Sequence, residues 1–329
     1  MKKWLFVFVL FSLACMGQSE DALILSIAKE TNKEKKVALQ FELVNYYSDH
    51  AQFEESIEQA KKILSLNQIK SRDKASYLIA KSYIALAEID SAQKYVTQSI
   101  KFSKKNKSIE NLADSYFVQS QIFQYKADFT QQANYSLKSI ELAKKIGSDK
   151  ILENNYRNMA MLYLDQKNYQ KALEFSKKSL YHATQMKNPK RMSVAYGAVG
   201  ETYSMMYQDD KADYYFKKSY QEAEKIDFKM SKAWTLTNWA NIKKGNEALK
   251  MREEAQKIWN ELSPDNIMSI NNLSQIGLLY HQKAIAVNSS ISEKEFLLNK
   301  AKSYLIEAIE KSKKSDNTTT YIEAGKVLA

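Results

Sequence analysis

Small residues and aromatics recur in this chain every 40 positions, and that spacing restricts the fold more than any other feature. Ala80, Ser120, Ala160 and Gly200 are each followed three residues later by an aromatic: Tyr83, Phe123, Tyr163 and Tyr203. The same frame then gives Ile89, Phe129 and Tyr169, with Asp209 as the exception. It continues through Ala92, Gln132, Ala172 and Ala212, then Ser99, Ser139, Ser179 and Ser219. Five columns in register over four successive units define an internal repeat, and a period of this length belongs to stacked supersecondary units. Within a unit, the small residue and its aromatic share one face of a first helix. A short connection follows, such as Leu164–Asn168. A second helix then brings Ala172, Phe175 and Ser179 onto one stripe. Neither helix buries its stripe alone, so the hairpins must stack, and every contact is local. Composition agrees. With 7 Gly and 2 Pro there is little material for tight turns, and the abundant residues are helix formers, so the expected class is all-α. A hydrophobic content of 44% is enough for a core.

The outer copies are weaker. A first unit carries Val44, Tyr47, Phe53 and Ser56. The sixth begins at Ala240, but Lys243 replaces its aromatic, and its second helix, through Ala255 and Trp259, is out of register. The seventh has Gly277 and Tyr280 and resumes at Ala301 and Ala308, after a 12-residue insertion near 284–295. There Ser292 and Glu295 have the spacing of a capping box that restarts a helix. Pro189 and Pro264–Asp265 mark turns between units. Residues 317–329, ending in "TYIEAGKVLA", read as the first helix of a further unit with Gly325 as its small residue. The sequence thus divides into a leader at 1–17, about seven hairpins over 18–316, and one incomplete unit. Because stacked arrays end in an atypical capping unit, the expectation is that the chain is part of a longer protein or that a partner covers this end.

The leader is "MKKWLFVFVLFSLACMGQ": two lysines, an apolar run from Trp4 to Ala14, then small residues, the layout of a secretory signal. The run is too short for a comfortable membrane span. Cleavage before Gln18 gives an exported soluble form. The alternative is lipidation at Cys15, where "SLAC" is a loose lipobox, and that gives a membrane tether. Cys15 is the only cysteine, so disulfides cannot staple the mature chain. The expected location is the periplasm or cell envelope.

The formal charge of +11 falls to +9 when Lys2 and Lys3 leave with the leader. The lysines are spread over many helices and recur near helix C-termini, where cations oppose the negative end of the dipole. They read as solvated faces, and no direct nucleic-acid contact is expected. Catalytic constellations are missing. His50, His182 and His281 lie in different units, no glycine-rich phosphate loop precedes a helix, and no serine stands in G-x-S-x-G. "GAVG" at Gly197–Gly200 reads as close helix packing. Neither an enzyme nor a cofactor or metal site is expected.

The stretch "NMAMLYLDQKNYQKALEFSKKSL" resembles the tetratricopeptide repeat: a small residue, Tyr three later, Ala nine after that, then an aromatic and another small residue. The family unit has 34 residues, and the extra six here fall between one hairpin and the next. The resemblance implies a right-handed α-solenoid whose first helices line a concave groove for a protein or peptide partner. It assigns groove positions to Tyr77, Lys81, Phe117, Gln121, Arg157, Met161, Glu201, Asn238 and Asn241, with Trp234 as an aromatic anchor in the sixth unit. The family's carboxylate clamp is incomplete here. Signal peptide and array together resemble the sensor part of bacterial transmembrane regulators, whose membrane span and output domain would follow this segment. The alternative is a self-contained periplasmic or lipid-anchored adaptor in envelope assembly.

Overall fold

The period of the sequence is a period of turns. The computed structural model describes residues 19–66, 71–286, 291–314 and 318–328, so the expected leader, with Cys15, lies outside the described residues. Besides Ala51 and Gly245 in the outer units, left-handed backbone falls at Ala87, Lys107, Ala127, Gly147, Lys167, Lys187, Tyr207 and Asp227, with φ between 47° and 65°. One such residue occurs every 20 positions, alternately inside a hairpin and between hairpins. Within hairpins the turn closes as a Schellman motif. The Ala87 N–H donates to the Ile84 carbonyl (3.1 Å) and the Glu88 N–H to the Tyr83 carbonyl (2.9 Å). The bond onto the aromatic column repeats from Asp128 to Phe123, Asn168 to Tyr163 and Gln208 to Tyr203, at 2.9, 2.8 and 3.0 Å.

Among the described residues there are sixteen helices and no strand. Two compact units divide after Asn155. The first contains α1 (Glu20–Lys29), α2 (Lys33–Asp49), α3 (Phe53–Ser65), α4 (Arg72–Ala85), α5 (Ile89–Asn106), α6 (Ile109–Tyr125), α7 (Phe129–Ile146) and the start of α8 (Asp149–Asp165). The second contains the rest of α8, α9 (Tyr169–Gln185), α10 (Pro189–Met205), α11 (Asp209–Glu224), α12 (Lys229–Trp239), α13 (Gly245–Leu262), α14 (Ile267–Ala286), α15 (Ile291–Lys314) and α16 (Thr318–Leu328). Helix α1 stands outside the repeat frame and was not foreseen. Ser19 caps it, and the Tyr47 hydroxyl donates to Glu20 (2.9 Å), tying it to α2.

Each column of the repeat has a packing task. Ala80, Ser120, Ala160 and Gly200 are buried where helices come closest. A Cβ on Gly200 would stand 2.9 Å from the Phe216 ring, closer than carbon atoms pack. The aromatics stack on a second-helix ring twelve residues on: Tyr83 on Tyr95 (5.7 Å between centroids), Phe123 on Tyr135 (5.4 Å), Tyr163 on Phe175 (5.4 Å) and Tyr203 on Tyr215 (5.5 Å). Only Tyr203 is buried; the other three are half-buried, with the stack at the rim of each hairpin.

The serine column is a set of buried bridges. Ser99, Ser139 and Ser219 are fully buried. Each hydroxyl donates to a first-helix carbonyl 26 residues earlier: Asp73 (2.8 Å), Ala113 (2.7 Å) and Ser193 (2.8 Å). Each also pairs with a polar side chain 16 residues later on the next first helix: Ser115 (2.7 Å), Asn155 (2.8 Å) and Thr235 (2.7 Å). One hydroxyl thus links three helices with its hydrogen-bonding capacity satisfied, the condition for burying it at low cost.

The outer units depart from the frame for visible reasons. Helix α12 stops at Trp239 and ends in a short 3₁₀ turn, Ala240–Ile242. Where the aromatic would stack, Lys243 instead pairs with Asp213 (2.7 Å) and Glu247 (3.1 Å). In the seventh pair, helix takes up most of the insertion. Helices α14 and α15 run 20 and 24 residues, leaving only 287–290 outside the described residues. Ala284 and Leu297, at the extended ends, are buried with Leu249, Ile276 and Tyr280. Ser292, expected to restart a helix from its cap, lies inside α15, which is already helical at Ile291.

Candidate functional site

In the second unit, three first helices present stripes at helical spacing to a shared cleft of about 390 Å³. Helix α8 contributes Arg157, Met161, Leu164 and Asp165; α10 contributes Val194, Ala198 and Glu201; α12 contributes Met230, Ser231 and Trp234, with Phe228 from the preceding turn. Steps of three and four along each helix keep these side chains on one face. Local sequence makes the room. Position 197 stands where earlier units carry Tyr77, Phe117 and Arg157, and here it is glycine. The Trp234 ring lies over that bare backbone; a Cβ on Gly197 would come within 2.7 Å of its Cζ3. The "GAVG" stretch is therefore a packing device that seats a tryptophan in the cleft wall.

The cleft is mainly apolar, with three charged groups. Burial, reinforced by the negative charge of Asp165, pushes the Glu201 carboxyl up to about 7. Arg157 is half-buried and already engaged in interactions of its own. In the first unit, burial likewise pushes Asp114 on α6 up to about 6, opposed by Lys150, Lys81 and Lys74 and aided by Glu110.

Of the groove residues expected from sequence, Arg157, Met161, Glu201 and Trp234 meet in this cleft. Tyr77 packs against the cores on either side of α4. Lys81 is exposed, and Phe117 and Gln121 are half-buried on α6. Two asparagines do other work. The Asn238 amide donates back to the Trp234 carbonyl (2.9 Å), as a helix-internal bond. Asn241 accepts from the buried Arg252 guanidinium (2.6 Å), which also donates to Asn272 (3.2 Å). A shortened α12 puts Asn241 past the helix end, where it caps a buried arginine. Sequence reasoning missed Asp165, Leu164, Val194, Ala198, Phe228, Met230 and Ser231. The signal was present: Val194, Ala198 and Glu201 stand at i, i+4 and i+7, but only positions three before and one after the small residue were considered. Among the described residues, no cluster of His, Cys, Asp and Glu is arranged to hold a metal ion, and no helix is long and apolar enough to cross a membrane.

Residues 152–225 match the tetratricopeptide repeat family model. The hairpins within that segment are tetratricopeptide repeats. Solved tetratricopeptide structures share the architecture at low sequence identity. A signal transduction ATPase with a tetratricopeptide repeat sensor, from Pyrococcus horikoshii, superposes with a TM-score of 0.64 at 16% identity, over 92% of this chain and 46% of that one. A Rap protein complexed with competence and sporulation factor gives 0.59 at 14% identity, over 94% of each chain. NprR in complex with its cognate peptide NprX gives 0.57 at 14%, over 94% of this chain and 81% of that one. The chain spans a little under half of the Pyrococcus protein. At these identities the likeness is one of tetratricopeptide fold. No curated protein sequence matches the chain.

Proposed function

We propose that this tetratricopeptide protein is an exported interaction module that takes an extended peptide or partner segment on its first-helix face, and that it serves as the periplasmic sensor part of an envelope regulator. The observation that carries the reading is the cleft on α8, α10 and α12: concave, mostly apolar, with a few polar groups, as ligand sites are. Arg157, Met161, Glu201 and Trp234 are assigned to the ligand there, and Trp234 is the anchor, since large aromatics dominate binding interfaces. Lys81, Phe117 and Gln121 offer the same kind of face within the first unit. Peptide complexes among the fold neighbours, NprR with NprX and Rap with its factor, support a peptide ligand. The sensor label of the Pyrococcus protein supports the signalling role. The basic-then-apolar leader supports export.

Two experiments test this. A displayed library of random heptapeptides is passed over the full chain and over Ala198→Trp, which fills the cleft. Peptides retained by the parent and lost from the variant, with both melting alike, are expected; equal retention removes the cleft from the reading. The N-terminus of the expressed chain is then sequenced. Export predicts Gln18 as the first residue or a lipid on Cys15, and a chain that keeps Met1 in the cytoplasm defeats it.

A further inference from the structure

Acidic groups outnumber basic ones in the lining of the second unit's cleft. Asp165 and Glu201 both line it, and Arg157 is the one cation among its lining residues. Two carboxylates that share an apolar space repel each other, and each gains from a cation brought between them. The same wall holds thioether and indole, from Met161, Met230 and Trp234, surfaces that pack on an aliphatic stem and, for the indole, attract a cation over its face. We infer that this cleft selects a peptide segment bearing a cationic group, a Lys or Arg side chain or a free N-terminal ammonium, held against Glu201 and Asp165, with a neighbouring apolar side chain on Trp234. This rests on the peptide-binding reading given above and names the chemistry of its ligand. The polarity is opposite to that of a site built for a C-terminal carboxylate.

The geometry has a pH signature. The titratable groups that face Glu201 across the cleft are Asp165 and Arg157, both from α8; the lining residues of α12 and its preceding turn, Phe228, Met230, Ser231 and Trp234, carry none. Burial and Asp165 together keep Glu201 protonated up to about pH 7. A cationic ligand favours the carboxylate, so binding below that pH must expel a proton, and affinity must rise with pH. A ligand read through its neutral carbonyl would do the reverse, because protonated Glu201 would donate to it.

The test begins with the heptapeptide library panned on the full chain at pH 8. Enrichment of Lys or Arg beside Leu, Met or Phe is expected. The Kd of one such peptide should weaken by up to about 30-fold between pH 8 and pH 5.5, the ratio of ionised fractions for a group near 7. Glu201→Gln should flatten that dependence and weaken binding at pH 8 by about tenfold, without lowering the melting temperature. If peptides are retained, and lost with Ala198→Trp, but are acidic or neutral, or bind more weakly as pH rises, this inference is overturned and the peptide cleft stands. If no peptide is retained at any pH, the peptide reading itself falls, and this inference with it.

Discussion

Gly277 and Gly325 offer one substitution with opposite outcomes. Both lie inside helices, where Ala is favoured over Gly by about 1 kcal/mol on propensity alone. At Gly325 a Cβ would meet nothing within 4 Å, so Gly325→Ala should gain about 0.5–1 kcal/mol. At Gly277 it would stand 2.6 Å from Leu305 Cγ, 2.9 Å from Leu305 Cδ2 and 3.2 Å from the Ala301 carbonyl oxygen. Carbon atoms pack at about 3.5–4.0 Å, so Leu305 would have to retreat by roughly 1 Å. Leu305 is 1% exposed and has nowhere to go, and the Ala301 carbonyl is backbone. Overpacking of this kind costs about 1–3 kcal/mol, here at the upper end, so Gly277→Ala should lose about 1–2 kcal/mol net. Urea melts followed by far-UV circular dichroism measure both. Leu305→Ala alone should cost about 2–5 kcal/mol. The double variant should cost at least about 1 kcal/mol less than the sum, because the smaller side chain admits the new methyl. If Gly277→Ala is as stabilising as Gly325→Ala, the small-residue column is not what brings the helices together.

Three further outcomes follow from the turns, the bridges and the cleft. Lys107 and Lys187 occupy left-handed backbone at φ 55° and 49°, so Lys107→Gly and Lys187→Gly should each gain about 1 kcal/mol, while Gly147→Ala loses a similar amount, all read from urea midpoints. Ser139→Ala removes a donor to the Ala113 carbonyl and an acceptor for Asn155, and should cost about 1–3 kcal/mol, with faster amide exchange in α7 and α8. The folded Glu201 pKa is raised from 4.5 to about 7, so the folded state keeps a proton that the unfolded chain gives up, and stability falls as pH rises across that window. Glu201→Gln should therefore be neutral near pH 4 and stabilise by about 1–2 kcal/mol at pH 8, discounted because the side chain is only half-buried.

The period, the helix pairs and the tasks of most columns were legible in the sequence, because each is a local packing rule written four times over. Ser139 shows how far this went: its column was visible, but its two partners, 26 residues before and 16 after, belong to other columns and emerge only in three dimensions. Tyr163 shows the limit on burial. Its spacing fixes the face, yet whether a ring sits at the centre or the rim depends on how wide the hairpin is. Asn241 was misplaced because the frame was extended through a unit whose first helix ends early at Trp239, and nothing in the column pattern reports a helix end. The cleft was half legible. Arg157, Met161, Glu201 and Trp234 stand in or beside inward columns, whereas Asp165 and Phe228 come from helix ends and turns, where the period carries no information about direction.

The even cadence of left-handed residues has a consequence for how such a gene changes length. Residues 89–128 begin on a second helix and end just after the next hairpin's turn, so a duplicate of this segment would re-enter the chain at an equivalent point. The copy of Ser99 would find a carbonyl at the same offset behind it and a polar side chain at the same offset ahead. Within these regular units a deletion or insertion of another size must be absorbed by lengthening a helix pair, as the seventh pair does. Whole steps of 40 codons are therefore the changes in length that leave every bridge of the regular units intact.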